Sequence, residues 1–379
     1  MMKILVAPDS FKGSISAYDA CLAIKKGIVR CIPEADVVLT PIADGGEGTL
    51  DAMVPPERRI RVSVLNPEFE RIEAEYGYTE DTAVVEMARA AGLTLLPEEK
   101  RNAGATTTFG VGELILHALK SGFRRIMLTV GGSATNDGGC GMLAALGAKF
   151  TRRDGTEFVP TGDTLCEIES INVSEVAKEL FESEILIATD VKNPLLGEDG
   201  ATFVYARQKG LVEGQKERLE KGMTNLASVL KKESGKDVAL IEGCGAGGGI
   251  SAVLLAFANA KIKSGIETVL EVAGFLEAVD GCAAVITGEG KIDSQSLFGK
   301  AISGVAKVGI EKSVPVYCFV GCVGDDLDKL LKMGLSGIYD VASLAESTED
   351  SIKNADKYLT ELAEKFSAEI LSKKTEELY

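Results

Sequence analysis

Histidine is nearly missing from this chain: His117 is the only one in 379 residues. A mechanism needing two imidazoles is thereby excluded, and a zinc site loses a principal class of its donors. His117 lies in Gly-Glu-Leu-Ile-Leu-His-Ala-Leu-Lys (112–120), a helical pattern that predicts a surface or boundary position rather than catalysis. Paired cysteines are also lacking. The eight cysteines (21, 31, 140, 166, 244, 282, 318 and 322) include no Cys-x-x-Cys, and their mostly apolar surroundings predict reduced core thiols. Positive charge is scarce: 41 Lys and Arg stand against 57 Asp and Glu, a net charge of -16. Nucleic acid and anionic membranes recruit basic clusters, so neither is expected as a partner. No apolar run reaches the ~18 residues of a membrane span. The chain also enters a strand at once, without a basic and then apolar leader, so a cytoplasmic location is expected.

Glycine is abundant: 42 residues, well above the usual ~7%. It concentrates where apolar strands end. Examples are Ala-Pro-Asp-Ser-Phe-Lys-Gly-Ser (7–14), Pro-Ile-Ala-Asp-Gly-Gly-Glu-Gly-Thr (41–49) and Gly-Gly-Ser-Ala-Thr-Asn-Asp-Gly-Gly (131–139). Two more are Asp-Val-Lys-Asn-Pro-Leu-Leu-Gly-Glu-Asp-Gly-Ala (190–201) and the segment 288–300, which follows the expected strand 283–287. Such loops let backbone N–H groups approach an anion, and their lysines and carboxylates can neutralise charge, hold a metal or accept a proton. Asp9, Asp44, Glu47, Asp190, Glu289 and Asp293 all follow strands directly, where an α/β sheet opens its crevice. Phosphoryl transfer needs carboxylates twice, for Mg²⁺ and for the proton of the attacking hydroxyl.

The common nucleotide motif is absent, because no Gly-Lys pair completes a Walker A loop. Residues 243–248, Gly-Cys-Gly-Ala-Gly-Gly, do match the dinucleotide fingerprint after an expected strand at 238–241. Three readings stand: a dinucleotide site, close packing without ligand, or an anion loop of another kind. In 131–139 the groups of Ser133, Thr135 and Asn136 suit phosphate or carboxylate, while Asn136 or Asp137 could simply cap the helix expected at 140–147.

The periodicity predicts βαβα at the amino terminus: strand 4–7, helix 17–31, strand 37–41, helix 47–54. A meander of short strands follows from residue 58, and the middle of the chain is mixed. It includes a helix at 110–121, a strand at 126–130, a hairpin through Asp154-Gly155, a strand at 185–189, a helix at 212–232 and an Ala-rich helix from 250. From 283 the βα alternation returns, with helices at 298–308 and 326–333 and a closing helix at 348–372. The expected architecture is a parallel-sheet α/β domain, 1–58 plus 283–379, interrupted by an inserted mixed α/β domain, 59–282. The active site is expected in the crevice between them.

The first four of these segments, together with Ile-Thr-Gly-Glu-Gly-Lys-Ile-Asp-Ser-Gln (286–295), resemble the type-1 glycerate kinase family, in the family's order and over essentially the whole chain. Arg101-Asn102-Ala103, 205–210 and 243–249 depart from the family's usual wording. The resemblance implies a flavodoxin-like domain and ATP- and Mg²⁺-dependent phosphorylation of D-glycerate at its 2-hydroxyl, by a monomer or homodimer. Asp190 and Asp293 are then the expected Mg²⁺ ligand and proton acceptor, in either order, with Lys12, Lys291 and Lys300 offsetting charge. Further binding residues are expected at Asp9, Ser10, Asp44, Gly45, Gly46 and Glu47, and at Gly131, Gly132, Ser133, Thr135, Asn136, Asp137 and Asn193. Gly245, Gly247, Gly248, Gly288, Glu289, Gly290 and Gln295 complete the set. The alternatives are 3-phosphorylation, an NAD-dependent dehydrogenase of a small hydroxy acid, and a non-catalytic sensor of small acids.

Overall fold

The computed structural model describes residues 2–212, 214–292, 301–324 and 331–371. Asp293, Gln295, Lys300 and most of the expected helix 326–333 lie outside the described residues. The fold is α/β, and the chain forms two compact units. One comprises residues 1–44, 51–55 and 266–379, the other residues 45–50 and 56–265.

The first unit is built on a five-stranded sheet ordered Asp36–Leu39, Lys3–Pro8, Ala284–Ile292, Val316–Val323, Leu335–Asp340, with every neighbour parallel. Numbered along this unit the order is 2-1-3-4-5, the flavodoxin-like arrangement. Strands buried on both faces need continuous apolar runs, and Ile4, Leu5, Val6 and Ala284, Val285, Ile286 supply them without exposure. Helix Ala17–Cys31 begins where Ser16 caps it by accepting from the Asp19 N–H (3.1 Å). It packs on helix Ala355–Phe366 so closely that a Cβ on Gly27 would strike the Thr360 carbonyl and the Ala363 methyl. Phe366 meets Phe319 edge-on at 5.4 Å, a contact worth ~0.5–1.5 kcal/mol beyond area burial.

The second unit has a six-stranded mixed sheet ordered Asn259–Lys263, Glu184–Ala188, Arg125–Thr129, Thr82–Glu86, Arg71–Tyr78, Arg59–Leu65. The first four strands are parallel, and the last two join antiparallel as the expected meander. A small antiparallel sheet carries the expected hairpin, Lys149–Thr151 with Glu157–Phe158, turning through Gly155 at φ 86°. Tyr76 OH lies 3.0 Å from His117 Nδ1, which gives the lone histidine its boundary position.

Several expectations need correction. The strand expected to stop at 287 continues to Ile292, so 288–292 is sheet rather than loop; it keeps parallel register with its neighbour, Glu289 beside Val320 and Lys291 beside Cys322. A Cβ on Gly288 would meet the Phe319 carbonyl, so glycine here serves close strand approach. The strand expected at 238–241 is a turn: Asp237 Oδ1 accepts from the Ala239 N–H (3.2 Å), and Leu240 is 78% exposed. Strand Asn259–Lys263, unexpected from sequence, forms the sheet edge instead. The closing helix is broken at Asn354 into Thr348–Lys353 and Ala355–Phe366, with Asn354 Nδ2 donating to Asp350 Oδ1 (2.7 Å). Of the cysteines, all free, Cys31, Cys166 and Cys322 are exposed rather than in the core.

Candidate active site

In the first unit, strand Lys3–Pro8 has the second strand on one side and the third on the other, so the order reverses at its carboxyl end. Open α/β sheets bind ligands at this switch point. The two strands there are Lys3–Pro8 and Ala284–Ile292, in register Pro8 to Gly288, and the Asp9 N–H continues the pairing onto the Gly288 carbonyl (2.8 Å). Asp9 and Ser10 follow the first strand. The chain then turns tightly, Ser14 N–H to Phe11 carbonyl at 2.8 Å with Gly13 at φ 78°, which sets Lys12 exposed on the turn. Glu289 and Lys291 are two residues apart on a strand, so both side chains emerge on one face.

These residues, with Asp44 and Gly290, line a cavity of about 430 Å³ whose other wall is apolar: Phe11, Val341, Ala342, Ile352 and Ala355. Asp9 is 9% exposed. Burial pushes its carboxyl up to about 6; the Ser10 N–H (2.5 Å) and Lys12 pull it back, while the charges of Asp44 and Glu289 raise it. A carboxylate titrating near 6 is suited to accepting a proton at neutral pH. Cys322, exposed beside Gly321, also borders the cavity, and sequence reasoning passed over it.

In the second unit the glycine-rich segments lock into one another. Gly138 N–H donates to the Gly248 carbonyl (3.1 Å), and Gly245 N–H to the Asn193 carbonyl (2.9 Å). Gly248, at φ 72°, sits where a Cβ would run into the Thr135 carbonyl. Asn193 is held from both sides, its Nδ2 donating to the Asp199 carbonyl (2.8 Å) and its Oδ1 accepting from Tyr205 OH (2.7 Å). Thus 131–139, 190–201 and 243–249 converge. A Cβ on Gly131 would lie 3.3 Å from the Glu47 nitrogen and one on Gly132 2.9 Å from Glu47 Oε2, so 45–47 borders the same loops.

Asp137 is fully buried and its carboxylate is occupied. It accepts from Thr108 N–H (2.8 Å), Thr108 Oγ1 (2.8 Å), Gly139 N–H (3.1 Å) and Gly141 N–H (3.2 Å), the capping role that sequence allowed it. Burial nonetheless raises its pKa. Thr135 and Asn136 are also fully buried, with Thr135 Oγ1 and Asn136 Oδ1 unpaired, whereas Gly131 and Gly132 reach the surface. Asp190 is exposed just past its strand, accepting from Ser264 Oγ (2.9 Å) and Gly265 N–H (2.9 Å). Sequence reasoning missed Glu86. Almost fully buried, it accepts from the Gly48 (3.0 Å) and Leu50 (3.1 Å) N–H groups and so shapes the 45–50 segment. A lone acid closing the apolar run Thr82–Glu86 was the available signal.

The profile of the glycerate kinase family matches residues 4–371. The chain belongs to the glycerate kinase family. Among its relatives, a glycerate kinase of Halalkalibacterium halodurans is 41% identical, with 96% of this chain and 97% of the relative aligned. The glycerate 2-kinase of Escherichia coli K12 is also 41% identical, over 93% and 94%. A crystal structure described as glycerate kinase 2 from Salmonella typhimurium LT2 is similar with a TM-score of 0.88 at 38% identity, covering 99% of each chain. Family membership agrees with the resemblance carried by the five glycine-rich segments. The dinucleotide alternative loses its context as well, because residues 238–241 before 243–248 form no strand.

Proposed function

We propose that this glycerate kinase transfers the γ-phosphoryl group of ATP to the 2-hydroxyl of D-glycerate, giving 2-phosphoglycerate and ADP. The observation carrying the chemistry is the cavity at the switch point, where a buried carboxylate that titrates near 6 stands among two lysines and two further carboxylates. Asp9 accepts the hydroxyl proton as the new O–P bond forms and the bond to the β-phosphate oxygen breaks. This reassigns the acceptor from the sequence-based pair Asp190 and Asp293. Lys12 and Lys291 offset the charge of the glycerate carboxylate and of the moving phosphoryl group.

The glycine cradle at Gly131 and Gly132 offers backbone N–H groups to phosphate, and its lack of side chains suits the approach of so crowded an anion. Mg²⁺ at such sites is held by one or two carboxylates plus phosphate oxygens. Among the described residues no cluster of three His, Cys, Asp or Glu forms a cage, and the exposed Asp190 is the fitting single ligand. The ion, when bound, shields the charge of the β- and γ-phosphates. The name of the Escherichia coli relative, a glycerate 2-kinase, supports the 2-hydroxyl.

³¹P NMR of the protein with ATP, Mg²⁺ and D-glycerate tests the reading, with D-lactate, of the same configuration at C2, as a control lacking the 3-hydroxyl. A 2-phosphoglycerate signal is expected. A 3-phosphoglycerate signal would keep the kinase and overturn the position, and ATP consumption indifferent to glycerate would overturn the reading.

A further inference from the structure

Lys209 is the least expected buried residue of the second unit. It closes the short turn Arg207–Lys209 and is 2% exposed, although the sequence around it, Arg-Gln-Lys-Gly, reads as surface. Gly210 beyond it adopts φ 82°, and its backbone lies so tightly on Arg101 that a Cβ would strike the Arg101 carbonyl group, which turns the chain and commits Lys209 inward. Its ammonium donates to the Thr135 carbonyl (2.8 Å). Asp137, two residues further on, is the carboxylate whose charge it feels, and that carboxylate already accepts four hydrogen bonds from the protein.

Burying an ammonium is costly, and a methionine of similar length would fill the same space without a charge to desolvate. Burial also drags the lysine down to about 7, so the cost is expressed in its titration. What the ammonium does that an apolar chain cannot is hold one backbone carbonyl. That carbonyl belongs to the middle of 131–139, on the side where Gly248 presses against it. The side-chain anchor of this stretch is Asp137, on its carboxyl side; Thr135 and Asn136 themselves add little, since Thr135 Oγ1 and Asn136 Oδ1 are unpaired and Asn136 Nδ2 reaches Thr202 Oγ1 only at 3.3 Å.

We propose that Lys209 is a positioning residue for phosphoryl transfer: by fixing the Thr135 carbonyl it sets the course of 131–139, and thereby where Gly131 and Gly132 present their N–H groups. The kinetic part of this proposal rests on the reading that 131–132 touch a substrate. The structural part does not.

Lys209→Met tests both. Amide hydrogen exchange in a peptide spanning 131–139 should quicken by about tenfold, on the scale of losing one hydrogen bond from a charged group, with peptides from strand Arg59–Leu65 unchanged. The KM of one substrate should rise about tenfold while kcat falls less than threefold, because a displaced cradle weakens binding more than chemistry. Unchanged exchange at 131–139, or KM and kcat both equal to wild type, would overturn the proposal. Should the methionine variant not fold, Lys209→Gln, a neutral donor one bond shorter, decides: faster exchange at 131–139 with raised KM supports the proposal, and wild-type values for both overturn it. Wild-type protein inactive on glycerate would refute the functional reading alone, since exchange at 131–139 still reports whether Lys209 holds the loop.

Discussion

The cavity of the first unit and the interlocked loops of the second use the same residue types for opposite ends. Around the cavity, Lys12 and Lys291 stand exposed and burial pushes the Asp9 carboxyl up to about 6. Within the loops, Asp137 is spent on four internal hydrogen bonds and Lys209 on a backbone carbonyl. A charged group that is exposed or half-ionised can change partner during a reaction, whereas one enclosed by fixed donors can only define shape. On the proposed function one region serves chemistry and the other binding geometry, and substitutions should separate the two.

After the proton acceptor itself, the largest effect is expected at a lysine of the cavity. Lys291→Ala should lower kcat by ~10²–10³ with the melting temperature almost unchanged, measured by steady-state kinetics and calorimetry. Gly248→Ala should do the reverse. A Cβ at φ 72° against the Thr135 carbonyl adds backbone strain to overpacking, so denaturant titration should show a loss of ~2–4 kcal/mol. Next comes a gain in stability. The folded pKa of Asp9, about 6, lies above the ordinary carboxylate value, so the folded state binds the extra proton. That contribution is full below pH ~4 and is lost as pH rises through ~6, leaving an ionised buried carboxylate. Asp9→Asn should therefore stabilise the protein at pH 8 by ~1–3 kcal/mol in denaturant titrations. Smallest is Arg30→Ala, which removes a solvent-exposed pair with Glu364 (2.6 Å); a change within ~1 kcal/mol and unaltered kinetics are expected. Were Arg30→Ala to rival Lys291→Ala in activity, charge at the cavity would not be special.

Much of this division was legible in sequence, for reasons particular to each element. Helix Ala17–Cys31 was placed to the residue by its 3.6-residue apolar period, and in the structure the Ser16 cap fixes its start. Asp9, Lys12, Asp44, Glu289 and Lys291 were singled out in sequence because they lie close behind apolar runs of strand character, and all five line the cavity of the first unit. What failed depended on partners distant in sequence. Residues 238–241 have strand-like side chains, yet the Asp237 carboxylate closes a turn there, while Asn-Ala-Lys-Ile-Lys gained its strand by pairing with Glu184–Ala188. Gly288 read as loop because the Phe319 carbonyl that requires a glycine there lies some thirty residues away in the chain. The burial of Lys209 leaves no local trace, since it is fixed by a loop from elsewhere in the chain, and the capping by Glu86 left only a lone acid closing an apolar run.

The pH dependence of kcat/KM for glycerate, in wild type and Asp9→Asn, tests the division of labour most directly. Wild-type activity should rise with pH through about 6, as Asp9 loses its proton. In Asp9→Asn that limb should vanish and kcat should fall by ~10²–10⁴, the usual worth of a general base. An Asn variant that keeps both the limb and the rate would contradict it, and would move the chemistry away from the switch-point cavity.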